Sequence, residues 1–352
     1  MATKKIIRTT LLEAAKRAVI WLRIGRAVLF LGPSGMGKSE VFRDLVCTEL
    51  AQFHEGYDKL PVLLDKRLST CAAVDLRGIP HADAERRLTE WFTPEEWPTQ
   101  GPGVIFFDEI THGEKDALHA SYQLILEGQL AEYTVPKDVY LVAAGNRPQD
   151  GCGLRKLDAG LRQRFAVFEV EPSAELWREW AFENDVHEPI IAATFIYPEL
   201  IEGWDGSIDE QQATARELTA LSSALKLAGE RGVDADQTLG FANDVVGEAA
   251  ALKLAPFIQN YAGIVPLQDV FESPHTARVP EYDEFDQAIA VSIAIAKNAK
   301  PKEVENALAY VDRLPVAIRA LFSKSFPILA SERAVRAKAW ENWLIDNQNL
   351  TL

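Results

Sequence analysis

The residues Gly32, Pro33, Ser34, Gly35, Met36, Gly37, Lys38 and Ser39 follow one another in the pattern G-x-x-x-x-G-K-[ST]. Glycines at these places let the backbone curl until successive N–H groups point at one anion. The positive end of a following helix adds to that field. Lys38 can reach the β- and γ-phosphates of a bound triphosphate, and the Ser39 hydroxyl can ligate Mg²⁺. A bland alternative is a glycine-rich turn before an ordinary helix. The apolar run at 27–31 and the helical pattern at 36–53 favour the phosphate loop, with ATP and Mg²⁺ as its occupants.

Val104-Ile-Phe-Phe-Asp108-Glu109 is an apolar run that ends in two carboxylates. A parallel strand beside the phosphate loop would present Asp108 at the carboxyl edge of the sheet, where ligands of open α/β folds bind. Asp108 would hold Mg²⁺ through water, and Glu109 would act as general base toward an attacking water. Without the loop, such a run would be only a strand with an acidic turn. Adjacent Asp and Glu favour hydrolysis over simple nucleotide holding.

These groups need a frame. Apolar runs at 27–31, 60–65, 104–107, 139–144 and 165–170 read as strands, with helical patterns at 83–92, 114–127 and 158–163 between them. Such alternation predicts a parallel α/β sheet covered by helices on both faces. Beyond Pro172 the strand signals fade, and helical patterns cover 173–185, 210–229 and 238–260. A stretch at 262–282 with Gly263, Pro266, Pro274 and Pro280 reads as a loop, and 283–347 is helical again. The expected domains are an α/β nucleotide-binding domain at 1–172, a helical lid at 173–264 and a helical C-terminal extension at 265–352.

The chain has 352 residues, of which 47% are hydrophobic and 25% charged, so a large core is within reach. A net charge of −15 repels phosphate backbones and argues against broad nucleic-acid binding. Cys47, Cys71 and Cys152 show no CxxC spacing, and an odd number suits a reducing compartment better than a disulfide framework. The six histidines show no metal-ligand spacing. Residues 11–24 are broken by Glu13, Lys16, Arg17 and Arg23, so they read as an amphipathic helix and not a membrane span. A cytoplasmic location is expected.

Together these motifs resemble AAA+ ATPases, and within them the MoxR-like branch. Asp75-Leu-Arg-Gly-Ile-Pro80 is similar to that branch's Asp-Leu-x-Gly-x-Pro segment near the ring's pore, though a plain Pro/Gly turn would look alike. The segment 122–130 resembles the helix and turn that follow the acidic motif. By resemblance Asn146 is the first sensor; its carboxamide can donate to phosphate and accept from water. The competing reading is an Asn146-Arg147-Pro148 turn. Arg164, at the end of Leu157-Asp-Ala-Gly-Leu-Arg-Gln-Arg-Phe165, matches the arginine finger, with Arg162 as its alternative. Either could instead be a helix C-terminal cation. Arg216 matches the second sensor, although Ala215 stands where the branch has proline. A second departure is Thr111-His112, where the branch reads Asn-Arg. Lys66, Arg67 and Asp150 are further candidates for the site's neighbourhood, with no role assigned.

The resemblance implies a homo-oligomeric ring, expected to be a hexamer, that hydrolyses ATP to remodel a protein client in chaperone fashion. A von Willebrand factor A domain protein is the partner class it suggests. The alternative is a nucleic-acid-processing AAA+ motor of the restriction or phage type, which would need a positive pore.

Overall fold

The computed structural model describes residues 9–147, 150, 159–204, 206, 211–231, 237–260, 265–281 and 284–350. Pro148, Cys152, Leu157 and Gly263 lie outside them. The chain forms two compact units, 1–172 with 204–208, and 173–203 with 209–352.

The first unit opens with α1 (Leu11–Arg23), whose start is set by reciprocal bonds between Thr10 and Glu13. β1 (Val28–Leu31) follows and is wholly buried. Past the phosphate loop comes α2 (Lys38–Val41), which continues through a π-helical stretch, Phe42–Val46, into α3 (Cys47–Ala51). β2 (Val62–Arg67), α4 (Ala73–Arg77), β3 (Ile79–Asp83), β4 (Leu88–Phe92), β5 (Gly103–Asp108), α5 (Lys115–Glu127), the short β6 (Gln129–Leu130) and β7 (Tyr133–Thr134), β8 (Val139–Gly145), α6 (Ala159–Arg162) and β9 (Ala166–Glu169) complete it.

The main sheet runs β2-β5-β8-β1-β9, and every pairing is parallel. Side chains alternate across it, as strand geometry requires. Val28, Phe30, Val104, Phe106, Val142 and Ala144 pack with α1, α2 and α3 on one face. Leu29, Leu31, Ile105, Phe107 and Ala143 pack with α5 on the other. Phe42 stacks on Phe106 with ring centroids 4.4 Å apart, which pins the helix after the loop to the sheet.

The five expected strands are all present, but the expected adjacency of the loop strand and the acidic strand is corrected. β8 lies between β1 and β5, with Val28 opposite Val142 and Phe106 opposite the same residue on the other side. Local apolar runs identify strands but carry nothing about their order.

The helix expected at 83–92 is also corrected. Those residues belong to the β3–β4 hairpin, in which Ile79 faces Phe92 and Asp83 faces Leu88. The Asp83 carboxylate accepts the Glu85 and Arg86 N–H groups at 3.0 and 2.9 Å, and Arg87 takes φ 55° to close the turn. The plain Pro/Gly turn weighed as the alternative at Asp75–Pro80 is instead helix then strand. Gly78, φ 81°, forms the joint, and a Cβ there would fall 1.9 Å from the Phe92 carbonyl oxygen.

The second unit is helical: α7 (Ala174–Glu183), α8 (Glu188–Ile196), α9 (Glu199–Glu202), α10 (Ala215–Glu230), α11 (Thr238–Val246), α12 (Glu248–Asn260), α13 (Leu267–Glu272), α14 (Phe285–Asn298), α15 (Val304–Val311), α16 (Val316–Leu329), α17 (Glu332–Val335) and α18 (Lys338–Asp346). The pattern at 238–260 is two helices, because Gly247 takes φ 79° and sits where a Cβ would meet the Gln211 carbonyl oxygen at 2.2 Å. The expected loop at 262–282 contains α13. One hydrophobic cluster runs from Ala174 to Leu350. Among the described residues no helix is long and apolar enough to cross a membrane.

Candidate active site

The site is built at the carboxyl ends of β1, β5 and β8. Gly35 and Gly37 take φ 73° and 88°, which turns the loop after β1 back on itself. A Cβ on Gly32 would lie 2.7 Å from the Met36 sulfur and 2.8 Å from the Val170 carbonyl oxygen, so only glycine fits. Pro33, Ser34 and Met36 fill the rest of the curl.

Lys38 opens α2, and its ammonium lies back over the loop. It donates to the Gly32 and Pro33 carbonyls at 2.9 and 2.6 Å and to Asn146 Oδ1 at 3.0 Å. Ser39 Oγ donates to Asp108 Oδ2 at 2.9 Å. The other Asp108 oxygen accepts the Glu109 N–H at 2.8 Å. Loop, acidic strand end and polar strand end are thereby joined side chain to side chain, although β8 separates β1 from β5.

Glu109 takes φ 51°, a left-handed conformation uncommon outside glycine. It turns the chain off β5 into the tight turn Ile110–His112. Its carboxylate accepts a bond from the Ser69 hydroxyl and lies 3.7 Å from Arg67. Ser69, two residues past β2, was not singled out from sequence, and no local pattern marks it.

Asn146 follows β8 directly and receives the Lys38 bond; Thr111 Oγ1 accepts its N–H at 3.1 Å. Next to it Arg147 is buried. Arg147 bonds both Asp150 oxygens at 3.0–3.2 Å and also pairs with Glu171, tying the chain after β8 to the chain after β9. Burial works against its charge, but these carboxylates outweigh it and hold the guanidinium above its ordinary pKa. This gives Asp150 a structural partner. Lys66 pairs with Glu96.

Arg162 ends α6 and Arg164 follows two residues later. Arg162 pairs with Glu169 of its own chain at 2.7 Å. Arg164 is exposed, and no hydrogen bond or ion pair engages it among the described residues. Arg216 belongs to the second unit, exposed in the first turn of α10. There Thr214 at the N-cap bonds Glu217, a helix start that does without the proline.

The residues present fit Mg²⁺ and a triphosphate. A hydroxyl and a carboxylate oxygen, both hard donors, already sit within hydrogen-bond reach of each other, and Mg²⁺ takes one or two such ligands plus phosphate oxygens. The loop can pack this closely against Met36 and Val170 only because Gly32 lacks a Cβ.

Similar solved structures include a RuvB mutant of Thermotoga maritima, 15% identical at TM-score 0.38, covering 96% of this chain and 86% of that one. NtrX from Brucella abortus in complex with ATP is 14% identical at TM-score 0.42, covering 96% and 63%. A putative ATPase from Cytophaga hutchinsonii is 14% identical at TM-score 0.32, covering 68% and 85%. Scores and identities of this size bear on neither substrate nor activity. Among curated proteins, none matches the chain. Residues 27–165, the segment that carries the loop, the acidic strand end and Asn146, match the family model of the AAA domain, dynein-related subfamily.

Proposed function

We propose that this protein is an ATP-hydrolysing AAA+ ATPase of the MoxR type, working as an oligomeric ring, a hexamer by resemblance, that remodels a protein partner. One observation carries the ATPase reading: the Ser39 hydroxyl lies 2.9 Å from Asp108 while Lys38 lies 3.0 Å from Asn146. Those four groups come from three separated stretches of sequence and meet over one glycine cradle.

The loop amides hold the phosphate oxygens of ATP. Lys38 exchanges its bonds to the Gly32 and Pro33 carbonyls for the β- and γ-oxygens, which its ammonium neutralises better than it does neutral carbonyls. Ser39 and Asp108 hold Mg²⁺, which when bound spreads the charge of the β- and γ-phosphates. Glu109 gives up the Ser69 hydroxyl to take a proton from the lytic water. Asn146 orients that water against the γ-phosphoryl group. Arg164 of a neighbouring subunit neutralises charge in the transition state, an effect worth on the order of 10³–10⁵ in rate. Arg162 is the weaker candidate for that role because Glu169 already engages it. Arg216 remains the second sensor on resemblance alone.

The partner follows from charge. At a net −15 the chain repels nucleic acid, so a protein client, with a von Willebrand factor A domain as the class suggested by resemblance, suits it better than DNA. The test is steady-state ATP hydrolysis by the purified full chain, alone and with such a domain, single-stranded DNA or duplex DNA. We expect slow basal turnover, none in K38A, and stimulation by protein only. Strong stimulation by DNA alone would replace the client class with nucleic acid. Absence of any ATP affinity in the wild-type protein would remove the ATPase reading.

A further inference from the structure

Asn146 is the first residue beyond β8, so its N–H has left the sheet's ladder and needs another acceptor. Thr111 provides it. The threonine is 3% exposed, and its Oγ1 accepts that N–H at 3.1 Å. The approach is close by construction. A Cβ on Gly145 would fall 3.0 Å from both the methyl and the hydroxyl of Thr111, and 3.2 Å from Ile110 Cγ2. Thr111 in turn belongs to the tight turn set by Glu109, whose carbonyl accepts the His112 N–H at 2.8 Å.

We propose that Thr111 is a positioning residue, which fixes the Asn146 carboxamide relative to the Glu109 turn so that both present to the same water; this rests on the ATP-hydrolysis reading above. Its hydroxyl does the work, and its methyl only fills the space left by Gly145. The residue touches no substrate. It acts through the backbone of Asn146, while Lys38 holds the other end of that side chain. A valine in its place keeps the shape and loses the acceptor, leaving a part-buried N–H unpaired.

The experiment uses the full chain in four forms: T111V, T111S, N146A and T111V/N146A. Losing the acceptor should lower kcat about tenfold in T111V with KM for ATP within about twofold, while T111S stays within about threefold of wild type. In the N146A background T111V should cost less than about twofold more, because it has nothing left to position. Amide hydrogen exchange gives a readout that does not need turnover: the Asn146 N–H should exchange faster in T111V and at the wild-type rate in T111S. Equal damage from T111V and T111S would assign the role to packing and overturn the proposal. So would a full T111V effect on top of N146A, or unchanged exchange in T111V. The expected exchange difference in a wild-type protein that hydrolyses no ATP would instead overturn the reading beneath it.

Discussion

The two units bury different kinds of polar group. Among the described residues, buried charge is confined to the first unit, at Arg147 and Asp150 beside Asn146. The buried polar residues of the second unit are all hydroxyls: Thr194, Thr214, Ser222, Thr238, Ser292, Ser323 and Ser325. Several of these satisfy themselves on their own helix, as Thr194 does on Ile191 at 2.7 Å and Ser292 on Ile289 at 2.8 Å. A buried hydroxyl that bonds its own helix costs little and fixes little. A buried ion pair costs several kcal/mol of desolvation per ion unless its geometry is good, so it stands where geometry has to be held. The first unit is thus organised around one polar edge, and the second around an apolar interior.

If that contrast is right, the largest effect on chemistry should come from a carboxylate of the polar edge. E109Q should lower kcat on the order of 10³-fold, within the range that positioned proton transfer supplies, and leave ATP affinity intact. Rapid-quench hydrolysis set beside equilibrium nucleotide binding would check both halves. Undiminished turnover would take Glu109 out of the base role and break the contrast at its centre.

The second unit should answer to packing instead. Trp340 is 2% exposed and lies 4.5 Å from Phe326 and 5.4 Å from Trp343, ring to ring. W340A should cost about 3–4 kcal/mol, the scale of deleting a buried aromatic. Hydrogen exchange should speed up in α16 and α18 while β1, β5 and β8 keep their protection. Equal loss of protection in both units would mean that they do not hold separate interiors.

R147M tests the buried charge directly. It leaves Asp150 and Glu171 without the guanidinium that bonds them, and should destabilise the first unit by about 3 kcal/mol. Denaturant melts followed by a probe in each unit would localise the loss. A loss shared by the second unit would contradict the assignment.

How much of this was legible beforehand divides along the same line. The central strands β1, β5 and β8 were readable because parallel strands buried on both faces leave unbroken apolar runs, and the partly buried edge strands β2 and β9 still carry short ones. The phosphate loop was readable because its chemistry fixes both residue types and spacing. The order of strands was not, since β8 enters between β1 and β5 for reasons no local window contains. The hairpin at 79–92 was missed because its alternation is short and both its faces are largely exposed, so no buried face marks the strand period. Ser69, Thr111 and Arg147 act on partners 40, 35 and 24 residues away, a distance at which sequence alone carries no pairing. The departure at Thr111-His112 was a visible signal; its meaning required the closeness of Gly145.

The smallest effect concerns pH and separates the units without touching the site. Cys47 is fully buried against the helix face of the sheet, and burial pushes its thiol up from 9.0 to about 11. Burial raises Cys71 in the same direction. The neutral thiol is the form the fold accepts. Unfolded chain therefore gives up its proton near pH 9 while folded chain still holds it. Stability is complete below that pH and declines as pH climbs toward 11, by about 2 kcal/mol for Cys47. Cys47 and Cys71 both fall in the first unit, whereas in the second unit burial pushes the Tyr310 phenol from 10.0 to about 12. Between pH 9 and 10, in the presence of reductant, the first unit should soften ahead of the second, as exchange protection measured unit by unit would record. C47A should remove most of that slope. A slope that survives C47A, or a second unit that yields first, would show that the alkaline sensitivity has another source.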